Sequence, residues 1–157
     1  MSERRWSVET LIGEHPRIAL DANVLIYLID DAEPLGSLAG AVVDAIGPGG
    51  LRASMATIGQ VEILAGPARS GDAVAFERTA DEIRSVGLDI LPLTADIAED
   101  AAWIRGQGPL GLADAIHVAS ARAAGATALI TNDRRIRSRP GLDIYHLDNL
   151  DLSDSVP

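Results

Sequence analysis

Two hydrophobic rhythms alternate along the chain. Short apolar runs at 17–20, 51–53, 88–93 and 127–131, bounded by turn formers, read as buried strands. Between them apolar residues recur every three or four positions. This predicts helices over 22–29, 35–46, 57–65, 72–86, 95–105 and 112–124. Gly47-Pro48-Gly49-Gly50, Gly66-Pro67, Gly87 and Gly125 punctuate them. Strands alternating with helices imply three α/β/α layers, a central mostly parallel sheet flanked by helices. No internal repeat or linker divides residues 1–157, so one domain is expected. Residues 1–16 read as an extension before the core, with rough helical spacing of Trp6, Val8, Leu11 and Ile12. Residues 144–146 read as an edge strand, and 148–157 as a frayed acidic tail.

Composition narrows the chemistry. Cysteine is absent, which rules out a disulfide framework and a zinc–thiolate site. All 13 basic residues are arginine, so neither a P-loop lysine nor a Schiff-base lysine is available. A polar start and the lack of a spanning apolar run predict a cytoplasmic protein with no membrane association. The net charge of −10 excludes general adhesion to nucleic acid through a basic surface. It leaves room for a nuclease whose metal ligands are acids.

Four acids occupy unusual places. Asp21 ends the first strand, where an ordinary role would be to cap the next helix. Glu62 lies one turn after Ile58, on the apolar stripe of its helix, where a buried carboxylate needs a partner or a metal. Asp114 stands in the first turn of a helix that is apolar nearly all round, and His117 shares its face as a half-buried supporting residue. Asp133 follows the strand 127–131, in the position of a turn residue. Acids at the carboxyl ends of strands and at the starts of helices on that same edge can converge on one pocket. Converging carboxylates repel unless a cation is present. All-oxygen ligation without cysteine points to Mg²⁺ or Mn²⁺, which activates water and stabilises charge on a phosphodiester. Arg134, Arg135, Arg137 and Arg139 follow Asp133 at once and form a candidate phosphate grip.

The segments LDANVLIY, ATIGQVEILAG, LADAIHVASARAAGA and LITND resemble, in order and spacing, the four acidic motifs of PIN-domain ribonucleases, above all the VapC-type toxins of toxin–antitoxin pairs. The resemblance spans about residues 17–147. It implies a metal-dependent endoribonuclease that leaves 5′-phosphate and 3′-hydroxyl ends, with Asp21, Glu62, Asp114 and Asp133 as the acidic metal site. Asn23 and Thr131 or Asn132 would support that site. It also implies a homodimer and a cognate antitoxin that blocks the groove. Two departures stand out: Ala22 replaces the threonine of many members, and the N-terminal extension is longer than in many relatives. Three other readings compete. Gly106-Gln107-Gly108-Pro109-Leu110-Gly111 matches a dinucleotide glycine pattern, but it follows a helix rather than a strand. A phospho-receiver would need a lysine. A non-catalytic PIN-like module that binds RNA or a protein partner would tolerate losing the acids, yet all four are present.

Overall fold

The structure, a computed structural model, describes residues 4–153. Its centre is a five-stranded sheet of β1 (Arg17–Leu20), β2 (Arg52–Ala56), β3 (Asp89–Leu91), β4 (Ala128–Thr131) and β5 (Asp143–His146). All neighbouring strands are parallel, in the order β3-β2-β1-β4-β5. The order reverses at β1, so the crevice between the carboxyl ends of β1 and β4 is the place where an open α/β sheet offers a site.

Strand side chains alternate between the two faces, and this alternation builds two cores. Ile18, Leu20, Met55 and Ile130 pack beneath α1 (Val8–Glu14), α2 (Ala22–Ile29), α3 (Leu35–Asp44), α4 (Thr57–Ser70) and α5 (Ala73–Ser85). Ala19, Ala56 and Leu129 face the other way, against α6 (Ala95–Gln107) and α7 (Leu112–Ala123). The helix starts follow familiar capping chemistry. Ser7, Asp72 and Thr94 accept bonds from the backbone N–H groups of Thr10, Ala75 and Ile97. Gly106 lies inside α6, so the glycine pattern beginning there is not a phosphate-cradling turn.

Three expectations need correction. First, Gly66-Pro67 does not stop α4. Pro67 removes a single donor near the end of the helix, and the last turn continues, with the Ser70 hydroxyl donating to the Pro67 carbonyl at 2.8 Å. The helix ends instead at Gly71, whose φ of 70° is left-handed. Second, residues 1–16 are not wholly an extension outside the core. Trp6 and Leu11 are buried in the main core, and the Trp6 indole N–H donates to the His146 carbonyl at 2.8 Å. Its ring meets Tyr145 edge to face, with centroids 5.4 Å apart. Third, residues 148–153 are not frayed. Leu150 is buried and bridges Trp6 in parallel, followed by a bond from Asp151 N–H to the Trp6 carbonyl at 2.8 Å. Residues 1–3 and 154–157 lie outside the described residues.

Truncating Trp6 removes packing and one buried hydrogen bond together. Trp6→Ala is expected to cost about 3–5 kcal/mol of unfolding free energy. Urea denaturation followed by far-UV circular dichroism measures it.

Candidate metal centre

Asp21 is the first residue after β1. It stands at the N-cap of α2, yet its side chain makes no capping bond. The carboxylate turns into the crevice and is only 4 % exposed. Its Oδ2 accepts a 2.7 Å hydrogen bond from Thr131 Oγ1, at the end of β4. The same hydroxyl oxygen accepts from the backbone N–H of Asp133 at 3.1 Å and from Asn23 Nδ2 at 3.4 Å. Thr131 therefore ties the turns after β1 and β4 together. Asn132 takes another direction, its Oδ1 accepting from the Asp148 N–H at 3.1 Å.

Glu62 comes from α4. This helix lies close on β2 because Gly59 has no side chain: a Cβ there would meet Met55 Sδ at 2.7 Å. Glu62 is not the buried acid expected from the stripe. Its side chain is 36 % exposed, because Gly59 and Ile63 carry the buried contact and 61–62 project outward. From that rim, Glu62 Oε1 reaches His117 Nε2 at 2.7 Å. His117 is 1 % exposed rather than half-buried, since α7 is buried continuously from Ala115 to Ala121. Its Nε2 also lies 3.4 Å from Asp21 Oδ1. One ligand atom each from Asp21, Glu62 and His117 fall within 4.8 Å of one another.

Asp114 and Asp133 form a second pair. Arg135 donates from Nη2 to Asp133 Oδ2 at 2.7 Å and from Nε to Oδ1 at 3.1 Å, while its backbone N–H donates to the same Oδ1 at 2.9 Å. Its Nη2 lies 3.6 Å from Asp114 Oδ2. The four acids are thus held as two pairs, one around His117 and one around Arg135. Arg134 pairs with Asp148. Arg137 makes no ion pair with a carboxylate among the described residues.

The electrostatics follow from this crowding. Burial pushes the Asp21 carboxyl above its ordinary value of 3.8; the charge of His117 and the Thr131 bond offset only part of the shift. Asp114 is also pushed up, chiefly by burial and then by the charges of Asp21 and Asp133. Burial alone would lower His117, but the hydrogen bond with Glu62 and the charge of Asp21 outweigh it, so its pKa rises above 6.5. The Arg135 hydrogen bond holds Asp133 below the usual carboxylate range. A buried acid that resists ionisation beside three further acids is a place that a divalent cation would stabilise.

The family profile of the PIN domain matches residues 18–142. The chain belongs to the PIN-domain family. The same architecture recurs in solved structures. A toxin–antitoxin complex from Klebsiella pneumoniae is 25% identical, with a TM-score of 0.64 over 80% of this chain and 94% of its own. VapBC-1 from nontypeable Haemophilus influenzae is 23% identical, with a TM-score of 0.62 over 84% of this chain and 98% of its own. VapC20 from Mycobacterium tuberculosis, described as a toxin that cleaves the sarcin–ricin loop, is 18% identical, with a TM-score of 0.58 over 71% of this chain and 86% of its own. The last two show the shared fold alone. Comparison with curated proteins yields no match. Within this PIN domain the acids lie where the topology offers a site, and no helix among the described residues is long and apolar enough to cross a membrane.

The raised pKa values carry a sign. Asp21, Asp114 and His117 each hold a proton more tightly folded than unfolded, so the stability they contribute is present at low pH and lost as pH rises through their folded values. In EDTA, the unfolding free energy is expected to rise as pH falls from 8 to 5. Asp21→Asn should flatten that slope and stabilise the metal-free protein at pH 8. Denaturant titrations across this pH range check both.

Proposed function

We propose that this PIN domain is a metal-dependent endoribonuclease and the toxin of a toxin–antitoxin pair. One observation carries the reading: the buried carboxylate of Asp21, with Glu62 and His117 against it and the Asp114–Asp133 pair beside it, at the carboxyl edge of the sheet. The four carboxylates are an all-oxygen donor set without sulfur, which suits Mg²⁺ or Mn²⁺. Asp21, Glu62, Asp114 and Asp133 would hold the ion, with His117 Nε2 in reach of the first two. When bound, such an ion supplies Lewis acidity toward a phosphoryl oxygen and a more acidic water.

The chain's own residues prepare the rest. The Thr131 hydroxyl fixes the Asp21 carboxylate and, through the Asp133 amide, the turn after β4. His117 sets Glu62 against Asp21. Asn23 braces Thr131. Arg134, Arg135 and Arg137 line the approach, where guanidinium forks suit phosphate oxygens. The likeness to the toxin–antitoxin complex from Klebsiella pneumoniae supports a cognate antitoxin as partner, while a homodimer as the working assembly rests on the sequence resemblance alone. A second reading, a non-catalytic module engaging RNA or protein, rests on Arg135, whose guanidinium already neutralises Asp133 and approaches Asp114.

The purified protein, free of antitoxin, is expected to cut a structured RNA pool in Mg²⁺ or Mn²⁺ and to stop in EDTA. Asp114→Asn and Asp21→Ala should each lower the cleavage rate by about a hundred-fold or more while retaining the circular dichroism spectrum. Cleavage at the parent rate by either variant would remove that residue from the site. Metal binding without cleavage would favour the binding module.

A further inference from the structure

A second feature lies beside the acids. α6, the 108–110 loop, α7 and the arginine loop enclose an open cleft of about 790 Å³, within the roughly 300–1,000 Å³ that small-ligand sites span. Its lining includes Trp103 and five arginines: Arg122, Arg134, Arg135, Arg137 and Arg139. In a chain of net charge −10 with 13 basic residues, that is a local inversion of sign.

The charges there are unevenly balanced. Asp133 holds Arg135, Asp148 holds Arg134, and Asp100 lies 3.4 Å from Arg122. Arg137 and Arg139 have no carboxylate within ion-pair distance among the described residues. Arg139 Nε is buried without a hydrogen-bond partner, and the neighbouring Arg122 repels its guanidinium. Trp103 completes the set: it is 69 % exposed, whereas Trp6 is 6 % exposed. A large aromatic face open to water beside unpaired guanidinium groups is the combination that holds unpaired nucleotides. The ring stacks on a base and the arginines take phosphates. An acidic peptide would use the arginines but not the ring. Arg135 belongs both to the cleft and to the acid centre, so one strand can run through both.

We propose that this cleft is a subsite for an unpaired nucleotide of an RNA strand whose neighbouring phosphodiester lies at the acid centre. Trp103 stacks on the base, and Arg122, Arg137 and Arg139 receive the phosphates. The proposal rests on the nuclease reading and adds what it lacks: a base-stacking residue, Trp103, beside the acid centre, which a base within a helix cannot reach.

The test separates binding from cleavage. In EDTA, a short labelled single-stranded oligoribonucleotide is titrated with the full chain and followed by anisotropy, with tryptophan emission recorded in parallel. Saturable quenching is expected. Trp103→Ala should weaken binding at least roughly five-fold with an unchanged melting curve, and Trp103→Phe should restore most of it. Arg137→Gln and Arg139→Gln should each lower the slope of log affinity against log salt by about 0.7. RNA affinity unchanged in Trp103→Ala would overturn the subsite, and a shift in its sedimentation would then mark the ring as a contact between copies. Equal competition by polyglutamate at the same ionic strength would assign the cleft to an acidic peptide and likewise overturn the proposal. If Trp103→Ala binds like the parent while the parent cleaves RNA in Mg²⁺, the subsite fails and the nuclease stands. If binding depends on Trp103 but no divalent ion supports cleavage, the nuclease reading fails and the nucleotide site stands.

Discussion

An ionised oxygen withdrawn from water costs several kcal/mol unless something charged or hydrogen-bonding replaces the water. Asp21 imposes that demand at the centre of this PIN domain, and the surrounding structure answers it in layers. The Thr131 hydroxyl supplies the one short hydrogen bond, and it can do so because β4 lies directly beside β1 in register, Leu20 opposite Ile130. His117 supplies the nearest ring nitrogen, its Nε2 3.4 Å from Asp21 Oδ1, held in place by the buried surface of α7. The side chains of the centre are oriented by contacts with one another and with the core.

The two nitrogen-bearing residues divide the labour. His117 is wholly buried and bridges Asp21 and Glu62 from the core. Arg135 is two-thirds exposed, so its grip on Asp133 and its approach to Asp114 can be exchanged for another cation at modest cost. Half of the centre is therefore set by the core and half by a surface side chain. That asymmetry matches the outward position of the arginine loop, where a substrate would arrive.

Much of this was legible in the residues, and the misses have physical causes. The strands, the crossing helices and Asp21 at the end of β1 follow from local periodicity and turn chemistry. Trp6 and Leu150 escaped because their partners are far apart in sequence, and a short segment pairs only when the opposite end of the chain is in place. Pro67 misled because a proline near a helix end removes a bond without forbidding the turn. Glu62 misled because a helical stripe has an edge: Gly59 and Ile63 took the buried contact, and the acid leaned outward to meet His117. The depth of His117 was readable in principle from the apolar surround of α7. Trp103 and Arg122 carried no local signal, since nothing in their own helices says which loop will fold across them.

The neighbour relation of β1 and β4 also governs timing. Asp21 and Thr131 are 110 residues apart in the chain. At roughly 5–20 residues per second, a ribosome leaves Asp21 without its hydrogen-bond partner for roughly 5–20 s after it is made. Once β2 has been made, β1 has it on one side and no strand on the other for the rest of that interval. The centre therefore cannot assemble on a nascent chain until β4 and the turn after it have been made, and a nuclease built on this strand order would stay silent until then.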